Sequence, residues 1–321
     1  MKTAIVLGAG GFIGSHMVNR LKKDGYHVTG ADLKYPEFSK TNADLFHIGD
    51  LRDSNFVDKV LTMDADLVVQ LAADMGGAQY IFTGENDADI MHNSVLINLN
   101  VANACVRKKV KKLFYSSSAC IYPERNQLDP ENPNCVEDSA YPAAPDSEYG
   151  WEKLFSERIY ASFQRNKDLD IRIARFHNIY GPEGTYKGGK EKAPAAMCRK
   201  ALTSAESLVV FGDGKQTRSF LYIDDCVDAV MALIESEFTE PVNIGSEEMV
   251  TINQLAELAI LLSGRSIEIK NDISATCTGV RGRCSDNTLM FNKVGWSPSV
   301  SLEEGLTKTC KWISNELKKS E

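Results

Sequence analysis

No two cysteines in this chain stand at Cys-x-x-Cys spacing; the eight of them (105, 120, 135, 198, 226, 277, 284 and 310) are scattered. Over 321 residues that scatter reads as reduced thiols, not a disulfide framework. The five histidines (16, 27, 47, 92 and 177) show no ligand spacing, so no metal site is expected. No apolar run approaches the ~20 residues that cross a bilayer, which excludes a membrane span of that kind. No leader-like stretch follows Met1-Lys2-Thr3, and a cytoplasmic location is expected. Basic residues number 36 against 44 acidic ones, a formal net charge of −8. That balance excludes a general nucleic-acid binder, which needs a broad basic surface. An anionic ligand would require positive residues gathered in one pocket. There is no repeat and no low-complexity tract.

What is present is an ordinary globular composition, 43% apolar and 25% charged, long enough for one large domain with a smaller companion. Ala4-Ile5-Val6-Leu7 reads as a buried strand and Ile13 to Lys23 as a helix with Ile13, Val18 and Leu21 inward. Further strands are expected at residues 26–29, 45–48, 67–71, 112–115 and 171–174, each separated by helical pattern. Strands alternating with helices imply a parallel sheet covered on both faces, the doubly wound α/β class. After Tyr180-Gly181-Pro182 the pattern breaks into a glycine- and lysine-rich loop over 183–192. A helix is expected near Pro194, with others at 224–235 and 251–262, the last capped by Thr251 and stopped by Gly264.

Between the first strand and the first helix stands Gly8-Ala9-Gly10-Gly11-Phe12-Ile13-Gly14. Gly8, Gly11 and Gly14 form a variant of the dinucleotide fingerprint, which lets a pyrophosphate approach the positive end of a helix. Asp32 ends the second strand, where a carboxylate accepts ribose hydroxyls and repels a 2′-phosphate, so NAD is favoured over NADP. The expected architecture is a Rossmann-type NAD domain over 1–180, to which 218–246 return, and a smaller mixed substrate domain mainly over 181–321.

Tyr149 and Lys153 lie four residues apart, on one face of an expected helix. A tyrosine, with its reference pKa of about 10, is a poor base until a nearby ammonium and a positive nicotinamide stabilise the phenolate. Ser118 ends the preceding strand and can bond the same substrate hydroxyl. Taken alone, such a pair is an ordinary surface pair; after a serine-rich strand end, in a chain with a dinucleotide turn, it reads as chemistry.

The turn at 8–14, Ser116-Ser117-Ser118-Ala119, Tyr149 with Lys153, Arg175 through Pro182, and Arg218-Ser219-Phe220 together resemble the extended short-chain dehydrogenase/reductase family. The likeness runs over nearly the whole chain and implies a nucleotide-sugar enzyme, usually a homodimer joined through a helix bundle. Within the family, residues 71–77, 118–123, 187–194, 216–220 and 280–283 resemble the branch acting on GDP-mannose. Departures include Tyr186, Lys190 and the Ala78-Gln79 pair. For the cofactor the resemblance implies Gly8, Gly11, Phe12, Ile13, Gly14, Asp32, Asp50, Leu51, Leu71, Tyr149 and Lys153. For the substrate it implies Gly77, Ser118, Ala119, Cys120, Asn178, Glu191, Lys192, Ala193, Lys200, Gln216, Thr217, Arg218 and Arg281, with Arg283 either a ligand or a surface charge.

The chemistry explains the extra residues. A sugar C–H is not acidic, but oxidation at carbon 4 makes the hydrogens at carbons 3 and 5 removable through an enolate. Inversion then needs a base on one face and an acid on the other. Cys120 stands close to the hydride-transfer residues, as a thiol that a positive field activates. Lys192 is available from the loop, and the resemblance implies the same pair. Re-reduction of the ketone leaves no net consumption of NAD. Two other readings share the scaffold: a net NAD(P)-dependent reductase of the GDP-fucose type, and a non-catalytic NAD sensor. Asp32 disfavours NADPH, and the presence of Ser118, Tyr149 and Lys153 disfavours the sensor.

Overall fold

The computed structural model describes residues 1–274 and 279–319; Cys277 lies outside the described residues. The short Val-, Ile- and Leu-rich runs become strands because a parallel sheet buries both of their faces. β1 (Thr3–Leu7), β2 (His27–Asp32), β3 (Leu45–Ile48), β4 (Leu67–Gln70), β5 (Lys112–Ser118) and β6 (Asp170–Phe176) join Val242–Ile244 in a seven-stranded parallel sheet. Spatially the order is Val242–Ile244, β6, β5, β4, β1, β2, β3. Between and beyond them run α1 (Phe12–Lys23), α2 (Ser54–Val60), α3 (Ala78–Phe82), α4 (Asp87–Arg107), α5 (Glu148–Lys167), α6 (Ala193–Thr203), α7 (Ile223–Glu235), α8 (Ile252–Ser263), α9 (Thr288–Val294) and α10 (Leu302–Lys319).

Alternation along each strand divides the core in two. Ala4 and Val6 of β1 join Met17 and Leu21 of α1 and Val230 of α7 on one face. Ile5 and Leu7 join Val57 of α2, Val101 of α4 and Tyr160 of α5 on the other. Each fully buried Val, Leu, Ile or Met side chain among them contributes roughly 1.5–3 kcal/mol. The chain winds outward from β1 in one direction and from β4 in the other, so a crevice opens at the carboxyl ends of these neighbours.

The expected elements form with small shifts at their ends. Tyr26 lies outside β2, its N–H donating to Leu21 O where α1 ends. Leu71 lies one residue beyond β4, although its N–H still bonds Leu7 O at 3.0 Å. α8 starts at a full capping box between Thr251 and Gln254 and stops at left-handed Gly264.

One expectation is corrected. Cys198 on α6 and Cys310 on α10 form a disulfide, whereas all the cysteines read as reduced thiols in the sequence. The pair is 112 residues apart and meets only because α6 and α10 pack side by side; no sequence spacing encodes that crossing.

Candidate active site

The glycine-rich turn leaves β1 at the crevice. Gly8 has φ +86°, a conformation that favours glycine. A Cβ on Gly14 would lie 2.0 Å from Gly8 O, so only glycine lets α1 approach the strand so closely. No side chain caps α1, and its first N–H groups stay available to an anion. Asp32 Oδ2 accepts from Gly10 N–H at 2.9 Å and Oδ1 from Lys34 N–H, leaving carboxylate lone pairs for ribose hydroxyls. This cradle fits NAD. A Cβ on Gly181 or on Gly184 would lie 3.5 Å from the Phe12 ring, and Leu51 is buried. Asp50 is clamped by Arg52, whose hydrogen bonds hold its carboxyl below the usual range.

The next layer comes from β5 and α5. Ser118 closes β5, and its hydroxyl accepts from Cys120 N–H at 3.1 Å, curling the chain into the short turn Ala119–Ile121. Ser147 caps α5 by accepting from Gly150 N–H, which sets Tyr149 in the first turn. A Cβ on Gly150 would lie 2.2 Å from Cys120 O; the glycine is what lets the helix start lie against the thiol-bearing turn. Lys153 Nζ donates to Ser116 O at 2.9 Å and sits 5.8 Å from the centre of the Tyr149 ring. Beneath them Glu152, fully buried, accepts from Asn98 and Ser156.

Burial sets the electrostatics of this layer. Among this chain's own groups, burial dominates Tyr149 and pushes its phenol up, not down; Cys120 adds to the rise, while hydrogen bonding to Ser118 and the charge of Arg283 oppose it. The remaining lowering falls to the nicotinamide's positive charge. Burial likewise lowers Lys153, against the carboxylates of Glu152 and Glu157.

Facing this layer are Lys192 and two arginines. Lys192 precedes α6, and although water reaches its side chain, surrounding protein lowers its ammonium's pKa, as does Arg283, while Cys120 opposes. Arg283 is buried and anything but a surface charge: Nη1 donates to Cys120 Sγ at 3.1 Å, Nε bonds Gln127 Oε1, and Nη2 faces Asp146 Oδ2 at 3.4 Å. It sits on the short strand Gly282–Arg283, in parallel register with Thr217–Ser219, so that Arg283 and Arg218 are ladder partners. Arg218 donates to Thr217 O and Val280 O. Sequence reasoning left Arg283 undecided and missed Gln127 and Asp146. In Val280-Arg281-Gly282-Arg283 two arginines read alike, and only strand pairing separates their roles.

Other candidates direct their polar groups elsewhere. Arg281 pairs with Asp213 in a half-exposed ion pair at 3.1 Å. Lys200 donates to Val209 O at 2.6 Å and stacks over Phe211. Asn178, at φ +45°, donates to Ser219 O. Gln216 donates to Phe211 O while its buried Oε1 has no hydrogen-bond partner, and Thr217 Oγ1 donates to Pro130 O. Glu191 bridges Gly189 N–H and Arg199. Ala119 is buried, and Ala193 opens α6.

Fold and site together define a Rossmann-type enzyme in which Ser118, Tyr149 and Lys153 lie in one layer, with the Cys120 thiol and the Lys192 amine close by. The family model described as the NAD dependent epimerase/dehydratase family matches residues 4–245, and the chain belongs to that family. It is 46% identical over 316 residues to the GDP-mannose 3,5-epimerase of Arabidopsis thaliana, covering 98% of this chain and 82% of that one. Its fold superimposes on UDP-glucose 4-epimerase of Thermotoga maritima, solved with UDP-glucose, with a TM-score of 0.87, at 28% identity over 98% of this chain and 99% of the other. MoeE5, solved with UDP-glucuronic acid and NAD, aligns with a TM-score of 0.83 and 26% identity, over 98% and 99% of the two chains. The chain is thus an NAD-dependent epimerase, an isomerase. No helix among the described residues is long and apolar enough to cross a membrane.

Proposed function

We propose that the chain converts GDP-D-mannose to GDP-L-galactose, with GDP-L-gulose formed when only carbon 5 inverts. The observation that carries this reading is the thiol of Cys120, bonded to Arg283 within the first turns of the Tyr149 layer and within electrostatic reach of Lys192. The Arabidopsis relative's name supplies the substrate class. NAD, when bound, supplies a reversible hydride acceptor for carbon 4. Tyr149 takes the proton of the carbon-4 hydroxyl, with Ser118 sharing that hydroxyl and Lys153 holding positive charge behind it. Cys120, as thiolate beside the Arg283 guanidinium, removes a proton next to the ketone. Lys192 returns one to the opposite face, and Tyr149 gives its proton back as the ketone is reduced.

The diphosphate is assigned to Arg218, Arg281 and Lys200. An exposed ion pair is worth only about 0–1 kcal/mol, so Asp213 does not withhold Arg281 from a phosphate. Gly77, Ala119, Asn178, Glu191, Ala193, Gln216 and Thr217 are assigned to the sugar and phosphate as well, Asn178, Glu191 and Thr217 on exchanging their present partners for the substrate. A homodimer belongs to the same reading: Leu99 of α4 and Phe155 of α5 are exposed, Phe155 at 52%, and with the half-buried Met91, Val95 and Leu96 of α4 they line an apolar hollow on two long helices. The cytoplasm is the assigned location: Cys105, Cys120, Cys135, Cys226 and Cys284 are free thiols, against which stands the single Cys198–Cys310 disulfide, a bond that compartment seldom keeps.

The test is GDP-mannose in deuterated water, without added NAD, followed by NMR. Deuterium is expected at carbons 3 and 5 and absent from carbon 4, where the hydride returns. Cys120→Ala should abolish the label while NAD binding persists. Label at carbon 4, or undiminished exchange in Cys120→Ala, refutes the scheme; stoichiometric loss of reduced cofactor would point to the reductase instead.

A further inference from the structure

The loop that carries Lys192 is gripped from two sides. From α6, Arg199 donates to Tyr186 O at 2.8 Å and to Glu191 at 2.9 Å, and Glu191 in turn accepts from Gly189 N–H at 2.7 Å. From α3 comes a different contact: the Lys190 ammonium lies 4.8 Å from the centre of the Tyr80 ring. Two glycines make room for it. A Cβ on Gly76 would lie 2.5 Å from Tyr80 Cβ and 2.7 Å from Cγ, so the ring folds back over residue 76. A Cβ on Gly77 would lie 3.3 Å from the Lys190 carbonyl carbon and oxygen, so the loop backbone rests on residue 77. Gly77 has φ −73° and ψ −178°, extended backbone that any residue adopts. Its missing side chain serves the close approach and not the conformation.

Tyr80 is itself held. Its hydroxyl donates to Asp74 Oδ1 at 2.9 Å, and Asp74 Oδ2 accepts from Asn93 Nδ2 at 2.7 Å. Ser94 accepts from Asp74 N–H, and Arg52 donates to Asn93 Oδ1. Asn93 and Ser94 belong to α4, so the ring is tied to a helix of the main domain. Burial first, then the bond to Asp74, pushes the phenol up to about 12, and it remains a neutral donor.

We infer that Tyr80 is a positioning residue for Lys192: tethered through Asp74 to α4, its ring holds Lys190 and sets where the loop presents the amine two residues on. The inference rests on the proposed role of Lys192 as proton donor. A loop displaced from this seat leaves Cys120 able to exchange protons on its own face while delivery from the opposite face falls.

The test compares Tyr80→Leu, Lys190→Met, Lys190→Arg and, as reference, Lys192→Ala, each given GDP-mannose in deuterated water. The quantity read is the fraction of deuterium-labelled sugar that is inverted. One cation–π contact corresponds to about a two- to fivefold effect. Tyr80→Leu and Lys190→Met are each expected to lower the inverted fraction by that factor with total exchange little changed, and Lys190→Arg to restore it. Lys190 is exposed, so its variants report even where Tyr80→Leu folds poorly. An unchanged fraction in Lys190→Met, or a loss that Lys190→Arg fails to rescue, overturns the positioning role. If Lys192→Ala lowers the fraction while these do not, only the Tyr80 inference falls; if Lys192→Ala leaves it unchanged, the donor role falls first.

Discussion

Arg283→Met is the perturbation that bears hardest on the site. The guanidinium donates to Cys120 Sγ at 3.1 Å and is buried, so little water is present to replace it. A hydrogen bond to a charged partner is worth about 1.5–3 kcal/mol, which corresponds to roughly ten- to hundredfold in a rate that depends on it. Two features pull toward the lower end. Asp146, 3.4 Å from the same guanidinium, already offsets part of its field, and Lys192 still contributes positive charge near the thiol. The expected loss is therefore about tenfold, in deuterium incorporation at carbons 3 and 5 and in alkylation of Cys120 by iodoacetamide alike. A background of Cys277→Ser and Cys284→Ser removes Cys277, which lies outside the described residues, and the other partly exposed thiol among the described ones, since Cys105, Cys135 and Cys226 are buried. Arg283→Lys should recover part of both rates, because a point charge remains while the fork to Gln127 and Asp146 is lost. Both rates staying within twofold of the parent in Arg283→Met, with melting behaviour intact, would show that the thiol does not depend on this arginine.

Three further outcomes are expected. Gly14→Ala drives a Cβ to 2.0 Å from Gly8 O and should abolish NAD binding as read by cofactor fluorescence; retained binding contradicts the close-approach argument. Lys192 must be an ammonium to donate, and the surrounding protein together with Arg283 lowers its pKa although water reaches it, so inverted product should decline with rising pH before an ordinary lysine would deprotonate, and Lys192→Arg should remove that decline. Burial pushes His177 down from 6.5 to about 3, so the unfolded chain binds the extra proton between those values. Stability from this group is complete above about pH 6.5 and is lost as pH falls toward 3, at no more than about 1.4 kcal/mol per pH unit. Chemical denaturation from pH 7 to 5 should show this slope in the parent and not in His177→Gln; parallel slopes would reject it.

The parts of the site that sequence made legible are those whose partners are local. Gly8, Gly11 and Gly14 stand within one turn, and Tyr149 and Lys153 within one helical turn, so spacing alone brings them together. Asp32 follows from the end of the strand beside them. Arg283 was ambiguous because its partners, Cys120, Gln127 and Asp146, come from segments more than a hundred residues earlier, and its register against Thr217–Ser219 is decided by strand pairing. The Cys198–Cys310 disulfide was misread for the same reason. The burial that raises the Tyr149 phenol, and that ammonium and nicotinamide have to overcome, is imposed only by the assembled layers.

The amino-acid order by itself determined the alternation of buried strands and helices, the glycine turn, and the residue types of the hydride-transfer group, because these depend on backbone preferences and on periods of two and 3.6 residues. Tertiary structure alone decided which charges meet at the site. It set Arg283 rather than Arg281 against Cys120, joined α6 to α10, and laid the Lys192 loop against Tyr80. Electrostatic and packing energies depend on distance and burial across the folded molecule, and neither is written in the spacing of residues along the chain.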